Sequence, residues 1–406
     1  MGPDRQALAR LLVFQKGKPM QTVLLKEKTI VGRNQSSNIV LSTPNSSKIH
    51  FAIIWIAQVP FLVDSSLNGT HVNNKRILNN KVALENYDEI EVKLDTYFVL
   101  VLDEHLNTKI IKDRYYIFHS QILGEGSCAK VFLAADIITG ERLACKIIVK
   151  RKFKSNDNHV DMTAIEREIS ILSRIDHPNI ITIRDLFHSS KQVYIFLDRI
   201  LGGELFDYII KNDRVPEPET KFLFYQLLIA VKYLHSENIS HRDLKPENLL
   251  LETKKPYSKI ILTDFGLAKW LGNSLERMQT KCGTINYLAP EVYHENGGYS
   301  NTCDCWSLGI LLYVMLSGTF PFGSDRDPVA LFNNVTRSPV KFGMKCGWDK
   351  VSSDAKDIVE KLLIEDPKKR MTIDEAFEHP WIRDKRDLLE KLYQRMLSKS
   401  ENQKVI

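Results

Sequence analysis

Several short segments carry residues of a type and order suited to handling phosphate. Gly124-Glu125-Gly126-Ser127-Cys128-Ala129-Lys130-Val131 lies between two apolar runs, and Leu143-Ala144-Cys145-Lys146 puts a lysine on the next run. Glu166-Arg167-Glu168-Ile169 offers a carboxylate, and His241-Arg242-Asp243-Leu244-Lys245-Pro246-Glu247-Asn248 is followed by Asp264-Phe265-Gly266 and Ala289-Pro290-Glu291. Glycines in a turn let the backbone approach phosphate oxygens closely, with N–H groups free to donate. A glycine-rich turn also opens dinucleotide-binding βαβ units, but no helix follows directly here. Moving a phosphoryl group spreads negative charge over its oxygens. A site for that chemistry therefore needs fixed cations, metal-binding oxygens and a proton acceptor more than covalent steps. A lone Lys or Asp is ordinarily a solvated surface charge, and it is the ordered set that argues otherwise.

A second set lies upstream, in Val31-Gly32-Arg33, Ser46-Ser47-Lys48-Ile49-His50 and Asn68-Gly69-Thr70-His71-Val72-Asn73. An arginine, a hydroxyl, a lysine and an amide brought together from separate loops donate several hydrogen bonds to anionic oxygen. Asn68-Gly69 alone reads equally as a hairpin turn.

These residues need two kinds of scaffold. Over residues 8–103 short apolar runs (11–14, 22–25, 39–41, 51–56, 61–63, 89–94 and 97–102) alternate with Asn-, Ser-, Gly- and Pro-containing turns, the pattern of an all-β sandwich. Residues 104–114 read as a polar linker. Residues 117–152 read as strands, and from Met162 onward apolar residues recur at helical spacing, as in Ile165, Ile169 and Leu172 and again in Leu223, Leu227, Val231 and Leu234. Residues 383–400 read as a charged amphipathic helix with Leu388, Leu389, Leu392 and Met396 on one face. At 406 residues, 43% hydrophobic and 26% charged, the chain is too long and too ordinary in composition for a disordered or disulfide-scaffold protein. Its apolar runs are too short for a membrane span, and residues 1–10 lack a signal-peptide core. The six cysteines lack CxxC spacing and read as free thiols; Cys303 and Cys305 have no partners at zinc-ligand spacing. A formal charge of +6 without a long basic run makes no case for nucleic acid.

In order, type and spacing, the first set resembles the eukaryotic protein kinase signature over residues 116–382, and the second resembles the three signatures of a forkhead-associated (FHA) domain. The implied architecture is multidomain: an all-β FHA sandwich (1–103), a linker (104–114), a bilobal α+β kinase fold (115–382) and a helical tail (383–406). By the kinase resemblance, ATP and Mg²⁺ are the cofactors. Asp243 accepts the substrate hydroxyl proton, Lys245 neutralises the moving phosphoryl group, and Lys146, held by Glu168, clamps the α- and β-phosphates. Asn248 and Asp264 hold the metal. The nucleotide site is completed by Leu123, Gly124, Glu125, Gly126, Ser127, Cys128, Ala129, Lys130 and Val131, the gatekeeper Leu197, the hinge from Asp198 to Ile200, and Glu204. Ala129 stands where the family often has a third glycine.

Lys245 and Gly283-Thr284 look like the serine/threonine form. Thr280 is the expected activating phosphosite, pairing with Arg242, and Thr284 belongs to the substrate floor or is itself modified. Gly202-Gly203-Glu204-Leu205-Phe206-Asp207 resembles the calmodulin-dependent kinase group. Glu204 and Glu247 would then read an Arg three residues before the target Ser or Thr, and Arg370 would pair with Glu291. By the FHA resemblance, Arg33 and Ser47 hold phosphothreonine, Lys48 assists, Asn68 binds peptide backbone, and His50 and Gly69 keep the loops in shape. Leu67 departs from the family pattern.

The combination resembles the DNA-damage and meiotic checkpoint effector kinases. It implies a nuclear kinase recruited by an already phosphorylated adaptor or kinase, with transient self-association for trans-phosphorylation and no membrane partner. Fewer than ten residues precede the first strand, and Ser120-Gln121 is the only Ser-Gln or Thr-Gln dipeptide, so a terminal cluster of such sites is not expected. Two other classes stay open: a calmodulin-regulated kinase using the basic tail, and a catalytically dead phosphopeptide adaptor.

Overall fold

The computed structural model describes residues 9–41, 46–92, 96–102, 110–125, 129–149, 175–189, 191–264, 284–293, 301–322, 339–343 and 347–404. Period-two alternation builds its first part. The strands are β1 (Arg10–Gln15), β2 (Gln21–Leu24), β3 (Lys28–Gly32), β4 (Ile39–Val40), β5 (Phe51–Ile56), β6 (Val59–Asp64), β7 (Thr70–Val72), β8 (Lys75–Ile77), β9 (Lys81–Ala83), β10 (Glu89–Val92) and β11 (Thr96–Val101). They form a six-stranded sheet in the order β2-β1-β11-β10-β7-β8 and a five-stranded sheet in the order β4-β3-β5-β6-β9. Among the described residues, neighbouring strands in these sheets pair antiparallel except β3 with β4. Leu11, Val13, Phe98 and Leu100 from one sheet meet Val31, Phe51, Ile53 and Leu62 from the other in a buried core. Four strands escaped the sequence pattern: β3, β7, β8 and β9 are short or carry alternating lysines and threonines that mask the apolar signal.

A third sheet runs β12-β13-β14-β15-β17-β16, from β12 (Ile110–Ile111), β13 (Tyr115–Glu125), β14 (Ala129–Asp136), β15 (Arg142–Val149), β16 (Ile183–His188) and β17 (Gln192–Asp198). Two expectations are corrected here. The end of the expected linker is a strand, since Ile110 and Ile111 pair with Tyr116 and Tyr115. The chain also returns to this sheet at β16 and β17, after the point where helical spacing was expected to take over. By compactness, residues 1–154 with 183–199 form one unit and residues 155–182 with 200–406 another.

The second unit is mainly helical, with α1 (Leu205–Asn212), α2 (Glu217–Ser236), the hairpin of β18 (Leu249–Leu251) and β19 (Ile260–Leu262), α3 (Asn301–Ser317), α4 (Ser353–Leu362), α5 (Ile373–Glu378), α6 (Pro380–Arg383) and α7 (Arg386–Lys404). Leu223, Leu227, Val231 and Leu234 are all buried, as their spacing on α2 predicts. The α3 helix is apolar around its whole circumference and buried from Cys303 onward, the signature of a central core helix. Ser352 caps α4 through the Ala355 N–H, and Thr372 with Glu375 forms a reciprocal capping box on α5.

The tail helix corrects a further expectation. Leu389 and Tyr393, four apart, are its buried residues among those described, whereas Leu388 is 55% exposed. Tyr393 donates its hydroxyl to Asn179 Oδ1 (2.7 Å), while Asn179 Nδ2 donates to Gln226 Oε1 (2.9 Å) and the Ile260 carbonyl (2.8 Å). Tyr225 adds a bond to Glu390 (2.6 Å), so α7 is fastened to α2 by polar contacts as well as packing. Among the described residues no helix is long and apolar enough to cross a membrane.

Candidate active site and phosphate receptor

Residues 241–248 form a tight loop whose shape is set from below. Asp304, in the first turn of α3 and fully buried, accepts the His241 N–H (2.9 Å), the Arg242 N–H (2.8 Å) and a hydrogen bond with His235 Nε2 (2.9 Å). These bonds hold Arg242 at φ +68°, a conformation costly for a residue with a Cβ. His241 is also buried and meets the Thr263 carbonyl (2.9 Å), tying the loop to the segment that carries Asp264.

On this platform the Asp243 carboxylate is fixed by two neighbours. Lys245 Nζ donates to both oxygens (2.9 and 2.8 Å), and Asn248 Nδ2 donates to the Asp243 carboxylate (2.8 Å) and carbonyl (2.7 Å). With its nitrogen committed to Asp243, Asn248 has its amide oxygen as the remaining ligand atom. Asp264 is exposed and also sits at positive φ (+58°). A carboxylate and an amide oxygen are the hard donors that Mg²⁺ takes.

The strand set is likewise in register. Lys146 lies in mid-β15, paired with Val131 on β14 and Ile195 on β17. Gly124 pairs with Val131 and Glu125 with Lys130, and the latter two form an exposed ion pair (2.7 Å). Ala129 is paired with Ile148, and Leu123 is exposed. Leu197 pairs with Ala144 and Asp198 with Leu143; the Asp198 carboxylate is taken by Arg184, which leaves its backbone as what that position can offer a ligand. Glu168, Gly126, Ser127, Cys128 and Thr280 lie outside the described residues. Thr284 opens a 3₁₀ turn, Thr284–Tyr287.

Beyond Ile200, Glu204 stands at the N-cap position of α1, without a side-chain capping bond, and bridges Leu250 on β18 through its backbone. Gly202 is needed there, because a Cβ would lie 2.1 Å from the Leu251 carbonyl oxygen. The α1 helix packs on the 3₁₀ turn Pro246–Asn248 that carries Glu247. Among the described residues, Glu247 Oε2 is buried without a hydrogen-bond partner. Nearby Tyr287 has its pKa pushed up by burial and then by the Glu247 charge.

In the sandwich, Arg33, Ser47 and Lys48 line one open cavity together with Ser46, Ile49, Ser65 and Leu67. The loops are braced backbone to backbone, Arg33 N–H to the Ser47 carbonyl (3.0 Å) and Asn34 N–H to the Lys48 carbonyl (3.1 Å). Gly32 permits this approach, since a Cβ there would stand 2.2 Å from the Lys48 carbonyl oxygen. His50 is buried and accepts the Ser47 N–H at Nδ1 (3.3 Å); burial lowers its pKa, against the opposing pull of Asp64 and the Gly69 backbone. Asn68 does not join the lining. Its carbonyl accepts from Arg76 Nε (3.1 Å), and the wall at that point is Leu67, which is 87% exposed and donates its N–H to Ser47 Oγ (3.2 Å).

Against models of known families, the protein kinase domain matches residues 118–382. The chain belongs to the protein kinase family. The FHA domain model matches residues 29–93 of the same kinase. The meiosis-specific serine/threonine-protein kinase mek1 of Schizosaccharomyces pombe (strain 972 / ATCC 24843) is 34% identical, over 98% of this chain and 91% of that protein. The probable serine/threonine-protein kinase fhkC of Dictyostelium discoideum is 32% identical over 91% of this chain, which spans 64% of that longer relative. Among solved structures, Rad53 1-466 in complex with AMP-PNP aligns with a TM-score of 0.59 and 30% identity, covering 92% of this chain and 99% of that one. The kinase is thus a serine/threonine enzyme with an FHA domain, of the type these relatives share.

Two supporting residues of the kinase were missed in the sequence. Asp304 is one; it lies 61 residues beyond Asp243 inside an apolar helix, with no motif around it. Asp64 is the other: buried, it accepts from Ser66 Oγ (2.8 Å), Thr70 Oγ1 (2.6 Å) and the Asn79 N–H (2.9 Å), and so shapes the 64–70 turn beneath Leu67. The pairing of Arg370 with Glu291 is as expected and more extensive. Bidentate bonds of 2.7 and 2.8 Å are joined by bonds to the carbonyls of Thr302, Ile364 and Glu365, each 2.9 Å. Burial works to raise the Glu291 pKa, but the Arg370 hydrogen bonds outweigh it and hold the carboxyl below its usual range. Cys303 and Cys305 are buried on α3, and burial pushes the Cys305 thiol up to about 12.

Proposed function

We propose that this kinase transfers the ATP γ-phosphate to Ser or Thr in proteins that carry Arg about three residues upstream, and that its FHA domain recruits it to phosphothreonine-bearing adaptors in meiotic or DNA-damage checkpoint signalling. The observation that carries the catalytic part is the Asp243 carboxylate held by Lys245 and Asn248. So held, Asp243 is placed to accept the proton of an incoming hydroxyl, and Lys245 offers its charge to the group being moved. Asn248 and Asp264 would hold Mg²⁺, which when bound neutralises charge between the β- and γ-phosphates. Lys146 would take the α- and β-phosphate oxygens, and the backbone of Asp198 to Ile200 the adenine edge.

The Oε2 of Glu247, buried and without a partner among the described residues, supports the preference for arginine, because an unsatisfied carboxylate oxygen gains most from a guanidinium. Arg33, Ser47 and Lys48 around one cavity support the phosphothreonine reading, while Asn68, outside that lining, is proposed to hold peptide backbone beyond it. The activating modification is assigned to Thr280, whose phosphate would pair with Arg242. A nuclear site of action is part of the same proposal, supported by the resemblance to a meiosis-specific kinase. The tail helix, fastened through Tyr393 to Asn179, favours this reading over a calmodulin-released tail.

The test compares two acceptor peptides with Arg at −3, one joined by a long flexible linker to a phosphothreonine and one to plain threonine. At low concentration the phosphorylated version should be modified faster by about 10²-fold, the gain expected from tethering. Arg33→Ala should erase the difference. Equal rates on the two peptides would refute recruitment through the FHA domain.

A further inference from the structure

The outer face of the FHA sandwich is not a free surface. Strand β11 is buried at every position, which one-sided packing in a sandwich does not explain. Phe98 and Leu100 point into the sandwich core, while Tyr97, Val99 and Val101 point the other way, with Leu12 and Phe14 from β1. This second face packs on Tyr116 and Phe118 of β13 and Leu133 and Ala135 of β14, the kinase's own strands. The rings interlock, Phe14 on Phe118 at 5.2 Å edge-on and Tyr97 on Phe118 at 5.0 Å.

Two residues lock this face. Arg142, at the start of β15, is buried and donates Nη2 to the Phe14 carbonyl (2.7 Å). Its guanidinium lies 4.9 Å from the Tyr97 ring centre and 5.6 Å from that of Phe118, one aromatic from each domain. Gly140, in the β14–β15 turn, has φ +72°, and a Cβ there would lie 1.9 Å from the Lys18 carbonyl oxygen, so the turn fits against the β1–β2 turn only as glycine. Backbone bonds join the same two turns, Met20 N–H to the Ile137 carbonyl (2.7 Å) and Gly17 N–H to the Gly140 carbonyl (3.3 Å). At the far end of the contact, Ser120 donates both its N–H and its hydroxyl to the buried Glu89.

We propose that the FHA sandwich and the kinase's small sheet form one cooperative folding unit, locked by Arg142 and Gly140, which connects the phosphate receptor rigidly to the strand carrying Lys146. The receptor loops at Arg33 and Ser47 lie outside this contact, so a peptide can bind with the domains docked. The coupling itself needs no peptide; its use in signalling rests on the phosphothreonine reading above.

The test is native-state hydrogen exchange on the full chain. Ile53→Val trims only the sandwich core, yet it should speed the slowest amides of β11 and of β13 and β14 by the same factor, about 2- to 12-fold. With Arg142→Met, or with Gly140→Ala should that variant fold poorly, Ile53→Val should speed the sandwich alone. Faster exchange confined to the sandwich in the otherwise unaltered chain would overturn the proposal. So would undiminished coupling in both lock variants. A phosphothreonine peptide at 100 times its Kd should slow both sets of amides about 100-fold. If it slows neither, the phosphothreonine reading fails, and the Ile53→Val comparison still decides the coupling.

Discussion

Replacing Asp304 by Asn keeps the shape of the side chain under the catalytic loop and removes its charge. Oδ2 accepts both the His241 N–H and the bond with His235 Nε2, while Oδ1 accepts the Arg242 N–H. An amide oxygen in the Oδ2 position preserves two of these bonds but turns them from charge-assisted to neutral, a loss of about 1 kcal/mol each. The amide NH₂ then faces the Arg242 N–H, donor against donor, and leaving that N–H unpaired costs about 1–3 kcal/mol. The sum, roughly 3–5 kcal/mol, is a large part of the ~5–15 kcal/mol that holds a typical domain together. Urea unfolding followed by tryptophan fluorescence suits the question, since Trp306, Trp348 and Trp381 are all buried in the helical unit. At urea concentrations where the variant stays folded, kcat should fall by at least tenfold with KM for the peptide little changed, because Asp304 touches no substrate and acts through residues 241–243. A variant with ordinary stability and turnover would refute the claim that α3 sets the catalytic loop.

Three other outcomes follow from the same geometry. Arg370→Ala leaves Glu291 buried without its guanidinium and should destabilise the helical unit by about 3–5 kcal/mol in thermal or urea unfolding. Because Glu291 titrates below its ordinary value, the pair's contribution is complete above about pH 4.5 and fades as pH falls through the folded pKa; the variant should lose that acid-side slope. His50 behaves in the opposite chemical sense with the same direction on the pH axis. Its folded pKa lies below 6.5, so on acidification the unfolded chain binds a proton first, and sandwich stability should fall as pH drops below 6.5 toward the folded value. Phosphopeptide binding should weaken as well, since an imidazolium Nδ1 cannot accept the Ser47 N–H, and a pH-independent sandwich in calorimetry would count against this. Gly32→Ala sets a methyl against the Lys48 carbonyl and should lower phosphopeptide affinity by about tenfold or more in titration, a loss of at least ~1.4 kcal/mol.

What could be read from the amino-acid chain, and what could not, divides along the range of the interactions. Asp243, Lys245 and Asn248 stand within six residues of one another, so their mutual bonds were implicit in a single motif. Asp304 holds the same loop from a helix where its neighbours are Cys303, Cys305 and Trp306, and no local pattern marks a buried aspartate for partners 62 and 63 residues away. Asp64 was hidden for the same reason. On the tail helix a tyrosine takes the buried place that leucine spacing alone gives to Leu388. Tyr393 has the greater claim to the interior because its hydroxyl finds Asn179, and that choice turns the helix so that Leu388 faces water. Ile110–Ile111 was too short to register as a strand, and it pairs only because β13 begins four residues later. The unbroken run Thr96–Val101 did carry the missing information: apolar residues on both faces of a strand call for a second partner, and here it is the small sheet of the kinase.

The most direct test is transfer of labelled γ-phosphate from ATP with Mg²⁺ to a threonine peptide bearing Arg at −3, comparing the Thr280-phosphorylated chain with its Asp243→Asn variant. The geometry at Asp243 predicts steady incorporation by the first and a loss of at least ~10²-fold in kcat for the second, the usual contribution of a positioned proton acceptor. Equal incorporation by the two, or none by either while ATP still binds, would contradict the account.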